Sequence, residues 1–218
     1  MAPRLQTESI MPRCEDHAPR RIALTGGPGA GKTAILEIVR RAMCEHVKVL
    51  PESASIVFGG GFPRGPGLEL RRAGQRAIFY VQRELERAAD EDDLAIVLCD
   101  RGTIDGGAYW PGPGELWSSV GTTLDEQLAR YRAVIHLRTP TSGYNHQNPL
   151  RIESSTEAHV IDERIAALWS RHPRRFEVQP EADFLTKAAH AIQILRDELP
   201  SCCAEQLPQL GARVAVPA

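Results

Sequence analysis

Short apolar runs recur along the chain, and segments in which apolar residues follow a helical spacing separate most of them. The runs occupy residues 21–25, 47–53, 94–99, 133–139 and 174–178. Strands that are apolar along nearly their whole length are typical of parallel sheets, because helices cover both faces of such sheets. The pattern therefore predicts an α/β fold of three layers, with a five-stranded parallel sheet in the middle.

Helical spacing of apolar residues predicts the elements between these runs. We expect helices after residue 33, from 68 to about 90, over 123–131, near 158–170, and from about 183 to Pro200, which cannot continue a helix. The segment 58–67 is rich in glycine and proline, and 102–121 holds six glycines, two prolines and two tryptophans. We expect both segments to be loops without regular structure.

Size and composition are those of one ordinary domain. The 218 residues carry a formal net charge of −2, which predicts neither a nucleic-acid partner nor a membrane partner. We expect a flexible extension over 1–19, one domain over 20–199 and a tail over 200–218. Five irregularly spaced cysteines form no C-x-x-C pair, so we expect reduced thiols in a cytoplasmic protein. The oligomeric state does not follow from the sequence.

The segment "GGPGAGKT" at residues 26–33 fits the phosphate-loop pattern G-x-x-x-x-G-K-[ST], with a predicted strand before it and a helix after it. Its glycines let backbone N–H groups turn toward an anion at a helix N-terminus. Lys32 is suited to bridge the β- and γ-phosphates, and Thr33 to bind Mg²⁺. We therefore predict that ATP, or else GTP, binds with Mg²⁺ at Gly27, Pro28, Gly29, Ala30, Gly31, Lys32, Thr33 and Ala34.

The third strand ends at Asp100, which we predict as a second holder of Mg²⁺ or as the base for an acceptor. Arg101 follows, where a motor ATPase would have an acid that activates water. Because a guanidinium cannot take a proton but can grip phosphate, this pair favours phosphoryl transfer over hydrolysis. The chain has no N-K-x-D guanine-reading element, and the choice between ATP and GTP stays open.

Basic residues cluster between the fourth and fifth strands, where small P-loop kinases carry a lid over the triphosphate. Arg151 and Arg164 are our candidates for stabilising the transferred phosphoryl group, although each could also belong to a solvated helix face. The segment 140–157 is the predicted lid. His172 and Pro173, just before the fifth strand, could form the loop that packs against the nucleotide base.

The helix predicted from residue 68 to about 90 carries two amides on one face, at Gln75 and Gln82. In a kinase this helix borders the acceptor pocket, and the alternative is a pair of surface glutamines. Trp110 and Trp117 could line that pocket, contact a protein partner, or simply pack within their loop.

Three further segments make the chain resemble a known family: "GGFPRG", "DRGTIDGGAYW" and "NPLRIES". With the phosphate loop, they resemble the NadR-like P-loop family of small AAA-labelled ATPases and kinases. That family includes the kinase domain of the bifunctional ribosylnicotinamide kinase and the NTPase domain of translocation-defect-like proteins. The resemblance covers roughly residues 20 to 198 and implies a nucleoside- or nucleotide-kinase-like fold. It also implies that Glu52, Asp105 and Tyr109 face the acceptor.

Two hypotheses of different classes follow. The first is an enzyme, an NTP-dependent kinase that phosphorylates a small hydroxyl-bearing metabolite or a nucleoside. In that enzyme Asp100, or else Glu52, accepts the acceptor's proton. The second is a nucleotide-dependent switch with slow hydrolysis, in which 102–121 and 140–157 change with the bound nucleotide and contact a protein partner. Stimulation of ATP consumption by one small molecule would distinguish them.

Overall fold

The computed structural model describes residues 19–140, 155–180 and 183–204. Five strands form one sheet: β1 (Arg20–Thr25), β2 (Val47–Leu50), β3 (Ile96–Asp100), β4 (Ala133–Leu137) and β5 (Arg175–Val178). Their order across the sheet is β2-β3-β1-β4-β5, and every neighbouring pair is parallel. The predicted α/β fold with a five-stranded parallel sheet is confirmed.

The strand order places the first strand at the centre of the sheet. β1 lies between β3 and β4, and the chain crosses from one half of the sheet to the other between those two strands. Loops that leave the carboxyl ends of neighbouring parallel strands diverge at such a switch point and leave a crevice, which is where ligands bind in open α/β sheets. The segment 26–33, which follows β1, lies in this crevice.

The helices mostly match the predicted segments, but four short elements were missed. The helices are α1 (Lys32–Ala42), α2 (Ser53–Gly59), α3 (Leu68–Ala89), α4 (Leu116–Ser119), α5 (Leu124–Leu128), α6 (Ser155–Trp169), α7 (Phe184–Asp197) and α8 (Ser201–Ala204). The expectation that 102–121 has no regular structure is wrong, because it contains a 3₁₀ helix at Asp105–Tyr109 and α4. Tertiary packing stabilises these short turns, since Leu116 and Trp117 of α4 are buried.

Two hydrophobic clusters lie on opposite faces of the sheet, as the apolar strands predict. Alternate residues point to each face, so that Leu98 belongs to one cluster while Val97 and Cys99 belong to the other. The first cluster packs against α1 and α7, and the second packs against α3 and the segment 102–121. Both layers of helices are therefore needed to exclude water from the strands.

The end of the described chain is packed rather than free. Cys203 in α8 is fully buried in the same cluster as α1 and α7, although the sequence places residues 200–218 in a tail. The division into an extension, a domain and a tail stays a prediction. Among the described residues, no helix is long and apolar enough to cross a membrane.

Candidate functional site

The phosphate loop leaves β1 in a conformation that requires glycine. Gly26 has a φ of 137°, and a Cβ there would overlap the carbonyl oxygen of Leu137 in the neighbouring strand. Gly31 caps α1 in the left-handed region, with a φ of 95°. Because L side chains rarely adopt either conformation, these two glycines fix the path of the loop into the helix.

Two buried charged side chains form hydrogen bonds with the backbone of the phosphate loop. Asp162 of α6 accepts a hydrogen bond from the Gly27 amide at 2.7 Å, and Lys187 of α7 donates to the Ala30 carbonyl at 3.0 Å. Sequence reasoning missed both residues. The signal that could have identified them is a charged residue within the apolar stripe of a predicted helix. Such a position indicates a buried charge, and buried charged side chains are usually paired.

Asp162 also joins the loop to β4. Its carboxylate pairs with the His136 Nε2 at 2.9 Å and with the Arg138 Nε at 3.3 Å. Burial alone would raise the pKa of Asp162, but the His136 hydrogen bond, the Gly27 amide and the Arg138 charge lower it to about 2. The carboxylate therefore stays ionised through the physiological range.

Lys32, the lysine of the phosphate loop, is folded back onto the loop. The residue is only 8% exposed, and its ammonium donates to the carbonyls of Gly26 at 2.9 Å and Gly27 at 3.0 Å. Burial and the Arg101 guanidinium lower the pKa of Lys32, while Asp100 and Glu52 raise it. The ammonium is shielded from water and bonded to neutral carbonyl oxygens. An anion that binds beside it would therefore stabilise its charge.

Asp100 and Thr33 together fit a magnesium site. Asp100 ends β3, and its Oδ1 is buried without a hydrogen-bond partner among the described residues. Burial raises its pKa to about 6. Thr33, in the first turn of α1, lines the same cavity as Asp100. Carboxylate and hydroxyl oxygens are the ligands that Mg²⁺ prefers, and an orphaned carboxylate oxygen is what a cation would satisfy.

Arg101 lies where three segments meet. Its Nε donates to Glu52 at 2.8 Å, and its Nη1 donates to the Gly26 carbonyl at 3.1 Å. Its guanidinium also lies 5.6 Å from the centre of the Tyr109 ring. Burial alone would raise the pKa of Glu52, but Arg101 and the Ser55 hydroxyl lower it to about 2. The pair therefore stays ionised.

A single cavity of about 980 Å³ joins the phosphate loop to the predicted acceptor residues. Its volume is at the upper end of the range for small-molecule sites. The site residues predicted from the sequence that line it are Pro28, Gly29, Lys32, Thr33, Glu52, Gln75, Gln82, Asp100, Arg101, Asp105, Tyr109 and Arg164. Arg151 and most of the predicted lid lie outside the described residues. Four apolar residues from α2 and α3 form an apolar wall of this cavity: Phe58, Leu70, Ile78 and Phe79.

Gln82 is a buried residue of this wall, not a surface glutamine. It is 1% exposed, and its amide nitrogen donates to the Glu86 Oε1 at 2.9 Å. The Tyr131 hydroxyl donates to the same oxygen at 2.7 Å, and Arg130 pairs with the other oxygen. With its nitrogen engaged by Glu86, Gln82 has a carbonyl oxygen with no partner among the described residues. The carboxylate thus fixes the amide as a hydrogen-bond acceptor.

Asp105 lines the cavity, but its carboxylate is occupied by the protein. It is 2% exposed and accepts from the Gly102 amide at 2.7 Å, from the Trp169 Nε1 at 3.3 Å and from the Thr25 hydroxyl. These bonds tie the end of α6 to the turn after β3. Asp105 therefore positions the segment that carries Tyr109, and a direct contact with an acceptor stays a prediction.

The prediction that His172 and Pro173 pack against a nucleotide base is wrong. The pair precedes β5 and so lies at the amino edge of the sheet, whereas the phosphate loop lies at the carboxyl edge. The His172 ring is buried, bonds the Tyr131 carbonyl at 2.9 Å, and is absent from the cavity wall. The chain returns to the carboxyl edge only after β5, where the exposed ring of Phe184 packs beside Gly31.

The two loop tryptophans pack within the protein. Trp117 is buried in the cluster on the α3 face of the sheet, and Trp110 packs against it from outside while the Arg72 guanidinium lies 5.3 Å from its ring. Neither ring lines the cavity. The sequence left three interpretations of these tryptophans open, and the contacts support packing within the loop.

Replacing Asp162 with asparagine should destabilise the protein in a pH-dependent way. We expect Asp162→Asn to lower the free energy of unfolding by about 3 kcal/mol at neutral pH, because it leaves buried partners uncompensated. A carboxylate whose pKa is depressed to about 2 stabilises the fold fully above its unfolded pKa of about 4. That contribution disappears as the pH falls through 2, so the difference from the wild type should shrink on acidification.

Urea denaturation at several pH values measures this difference. Asp125→Asn is the matched control, because its pairing with Arg171 is exposed and should change the stability by less than about 0.5 kcal/mol. A destabilisation by Asp162→Asn that is equally large at all pH values would contradict the assigned ion pair.

Comparison with known proteins agrees with this arrangement. The model of a family described as "AAA domain" matches residues 21–187. Among solved structures, deoxyadenosine kinase from M. mycoides with bound dATP has a TM-score of 0.54 at 14% identity. The match covers 80% of this chain and 98% of that kinase. No curated protein sequence gives a match.

A second structure, the NadR protein in complex with NR, has a TM-score of 0.69 at 17% identity. The match covers 89% of this chain, which spans about half, 54%, of the NadR chain. At these identities the likeness shows a common fold, and it agrees with the resemblance to NadR-like proteins seen in the sequence. The chain belongs to the AAA-domain family of P-loop proteins and has the fold of small P-loop kinases.

Proposed function

We propose that the protein is a Mg²⁺-dependent kinase that transfers the γ-phosphoryl group of ATP, or of GTP, to a hydroxyl group of a small nucleoside-like acceptor. One observation carries the proposal. The cavity joins a phosphate loop to a wall that holds a paired carboxylate, Glu52, and a buried amide, Gln82. A site built only for hydrolysis would need no such wall.

The phosphate end of the cavity supports triphosphate binding. The ammonium of Lys32 can exchange its two loop carbonyls for phosphate oxygens, which are stronger partners because they are charged. Thr33 and Asp100 would hold Mg²⁺, which when bound neutralises charge on the phosphate oxygens. Arg164 of α6 lines the same cavity and is one candidate for contacting the phosphoryl group. Arg151, in the predicted lid, is the other.

We assign the acceptor's proton to Glu52 rather than to Asp100. The orphaned oxygen of Asp100 suits a cation, whereas Glu52 lies at the N-terminus of α2, lines the cavity and is paired with Arg101. With a pKa of about 2 it is ionised at neutral pH and can accept a proton as the hydroxyl attacks. Arg101 cannot accept one, so its part is to orient Glu52 and to face the phosphate.

The apolar wall supports a flat, partly polar acceptor. Phe79, Phe58 and Tyr109 offer aromatic surface, while Gln75 and Gln82 offer amides. A nucleobase or a similar ring has both an apolar face and hydrogen-bonding edges, which this combination suits. The nucleoside ligand class of the deoxyadenosine kinase neighbour agrees with this choice. The carbonyl of Gln82, fixed by Glu86, favours a ring that presents an N–H donor.

A screen for acceptors tests the proposal. ATP or GTP consumption is measured with Mg²⁺ in the presence of nucleosides, nucleoside analogues and sugars, and products are identified by mass spectrometry. We expect at least one nucleoside to stimulate consumption and to gain one phosphoryl group. Unstimulated, slow hydrolysis together with nucleotide-dependent binding of a protein would instead support the switch. The cytoplasmic location and the absence of nucleic-acid and membrane partners stay predictions.

Substitutions in the phosphate site should separate binding from turnover. We expect Lys32→Ala to abolish transfer, because it removes the charge that meets the β- and γ-phosphates. Asp100→Asn should lower kcat at least about 100-fold, the loss typical of groups that stabilise transition-state charge, while weakening ATP binding much less. Asp92→Asn, whose ion pair with Lys48 is exposed, is the control. Normal turnover of Asp100→Asn would remove the role given to that residue.

Substitution of the proposed base should affect the chemical step alone. Glu52→Gln keeps the size and the hydrogen-bonding capacity of the side chain, and we expect a loss of about 100-fold or more in kcat with little change in KM for ATP. Glu45→Gln is the matched control, since Glu45 is exposed just before β2, at the amino edge of the sheet. Steady-state kinetics with the acceptor found in the screen measures both. If Glu52→Gln retains the wild-type kcat, the proton acceptor is another group.

A further inference from the structure

Two cysteines and a histidine converge at a second place in the molecule. The ligand-forming atoms of Cys44, His46 and Cys203 all lie within 4.8 Å of one another. Cys44 follows α1, His46 precedes β2, and Cys203 belongs to α8 near the end of the described chain. The turn between α1 and β2 therefore supplies two potential ligands, and α8, which is distant in the sequence, supplies the third.

This cluster is separate from the cavity that holds the phosphate loop. The His46 carbonyl accepts from the amides of Ala95 at 2.9 Å and Ile96 at 3.1 Å, where β3 begins. The cluster thus lies at the amino edge of the sheet, whereas the phosphate loop and Asp100 lie at the carboxyl edge. None of its three residues lines the cavity, so its role does not depend on the proposed phosphoryl transfer.

The chemistry of the three side chains selects the class of ligand. Two thiols and one imidazole are the donors that Zn²⁺ takes most often in proteins, in tetrahedral geometry. With Zn–S bonds of about 2.3 Å, two sulfurs on one tetrahedral ion lie about 3.8 Å apart. The observed separations of up to 4.8 Å therefore need to close by no more than about 1 Å. Mg²⁺ and Ca²⁺ prefer oxygen donors and do not suit this set.

The surroundings suit a metal that fastens structure. Cys203 is fully buried, while Cys44 and His46 are half-buried, so the site is enclosed on the side of α8 and reachable from the other. The described part of α8 covers four residues, Ser201–Ala204, and four helical residues have little stability of their own. A metal bond to Cys203 would fasten it to the turn between α1 and β2.

We propose that Cys44, His46 and Cys203 form a structural zinc site that joins α8 to the α1–β2 turn. Both cysteines bind as thiolates and the histidine as a neutral imidazole, so that two thiol protons pass to solvent when Zn²⁺ binds and nothing is oxidised or reduced. The fourth position is open to a water molecule. Since the ion binds only the folded chain, zinc should raise the melting temperature.

The test uses the full chain, purified under reducing conditions and free of metal. Zn²⁺ is added, excess is removed against a weak chelator, and bound zinc is measured by elemental mass spectrometry alongside the melting temperature. We expect roughly one zinc per chain and a rise in melting temperature. Co²⁺ in place of Zn²⁺ should give thiolate charge-transfer absorption and the visible bands of a tetrahedral ion.

Variants of the three ligands decide whether the metal binds there. Cys44→Ser and His46→Ala alter half-buried positions, and each should weaken zinc binding more than the roughly 10- to 100-fold that loss of an outer-shell partner causes. Cys203→Ser alters a buried position, and its melting temperature without zinc shows whether it folds. The matched controls are Cys14→Ser and His190→Ala, the latter exposed on α7, and both should bind zinc as the wild type does.

Two results would overturn the site. One is a wild-type chain that retains no more zinc than the variant lacking all three ligands, including the case in which Cys44 and Cys203 form a disulfide and bind no metal once reduced. The other is unchanged zinc content, melting shift and Co²⁺ spectrum in both Cys44→Ser and His46→Ala. Neither result bears on phosphoryl transfer, which is measured separately.

Discussion

The guanidinium of Arg101 is the point on which the candidate site depends. It joins the carboxylate that follows β2, the carbonyl at the start of the phosphate loop and the aromatic ring of Tyr109. Arg101 is also the only non-glycine residue with a positive φ, 71°, in the part of the chain that the structure describes. A left-handed backbone at such a residue costs on the order of 1–3 kcal/mol and persists where surrounding contacts compensate for it.

This geometry explains why the residue after Asp100 matters chemically. In this position an acid would orient water, but a guanidinium instead holds Glu52 at the boundary between the phosphate loop and the apolar wall. The proposed proton acceptor thereby lies in the cavity that also contains the phosphate loop. When a bound acceptor occupies the cavity, water competes poorly with it for the phosphoryl group, because transfer requires the attacking oxygen to be held in position.

α6 connects the parts of the site that the sheet alone does not bring together. Asp162 holds the phosphate loop, Arg164 lines the cavity, and Trp169 bonds the carboxylate of Asp105. Because these three residues lie on one helix, a shift of α6 would move the groups that contact the loop, the cavity and the turn after β3 together.

Much of the fold and the phosphate end of the site could be predicted from the sequence, because those features are local. Apolar runs identify strands such as β4, and the loop from Gly26 to Thr33 is set by its own residue types. The parts that were missed depend on contacts between distant segments. Nothing near Asp162, Lys187 or Cys203 in the sequence indicates which loop or turn each will meet. His172 differs from them, because a residue just before a strand of a parallel sheet lies at the amino edge, so the predicted topology already argued against its contact with a nucleotide base.

The most direct test of the account is the fate of the γ-phosphorus in a single reaction. Phosphorus-31 NMR of the protein with Mg²⁺, ATP and the nucleoside that stimulates consumption distinguishes phosphate esterified to an acceptor from inorganic phosphate. The account predicts that the ester forms in proportion to the ADP released, with inorganic phosphate a minor product. Inorganic phosphate as the sole product, formed at the same rate with and without every nucleoside tried, would contradict it.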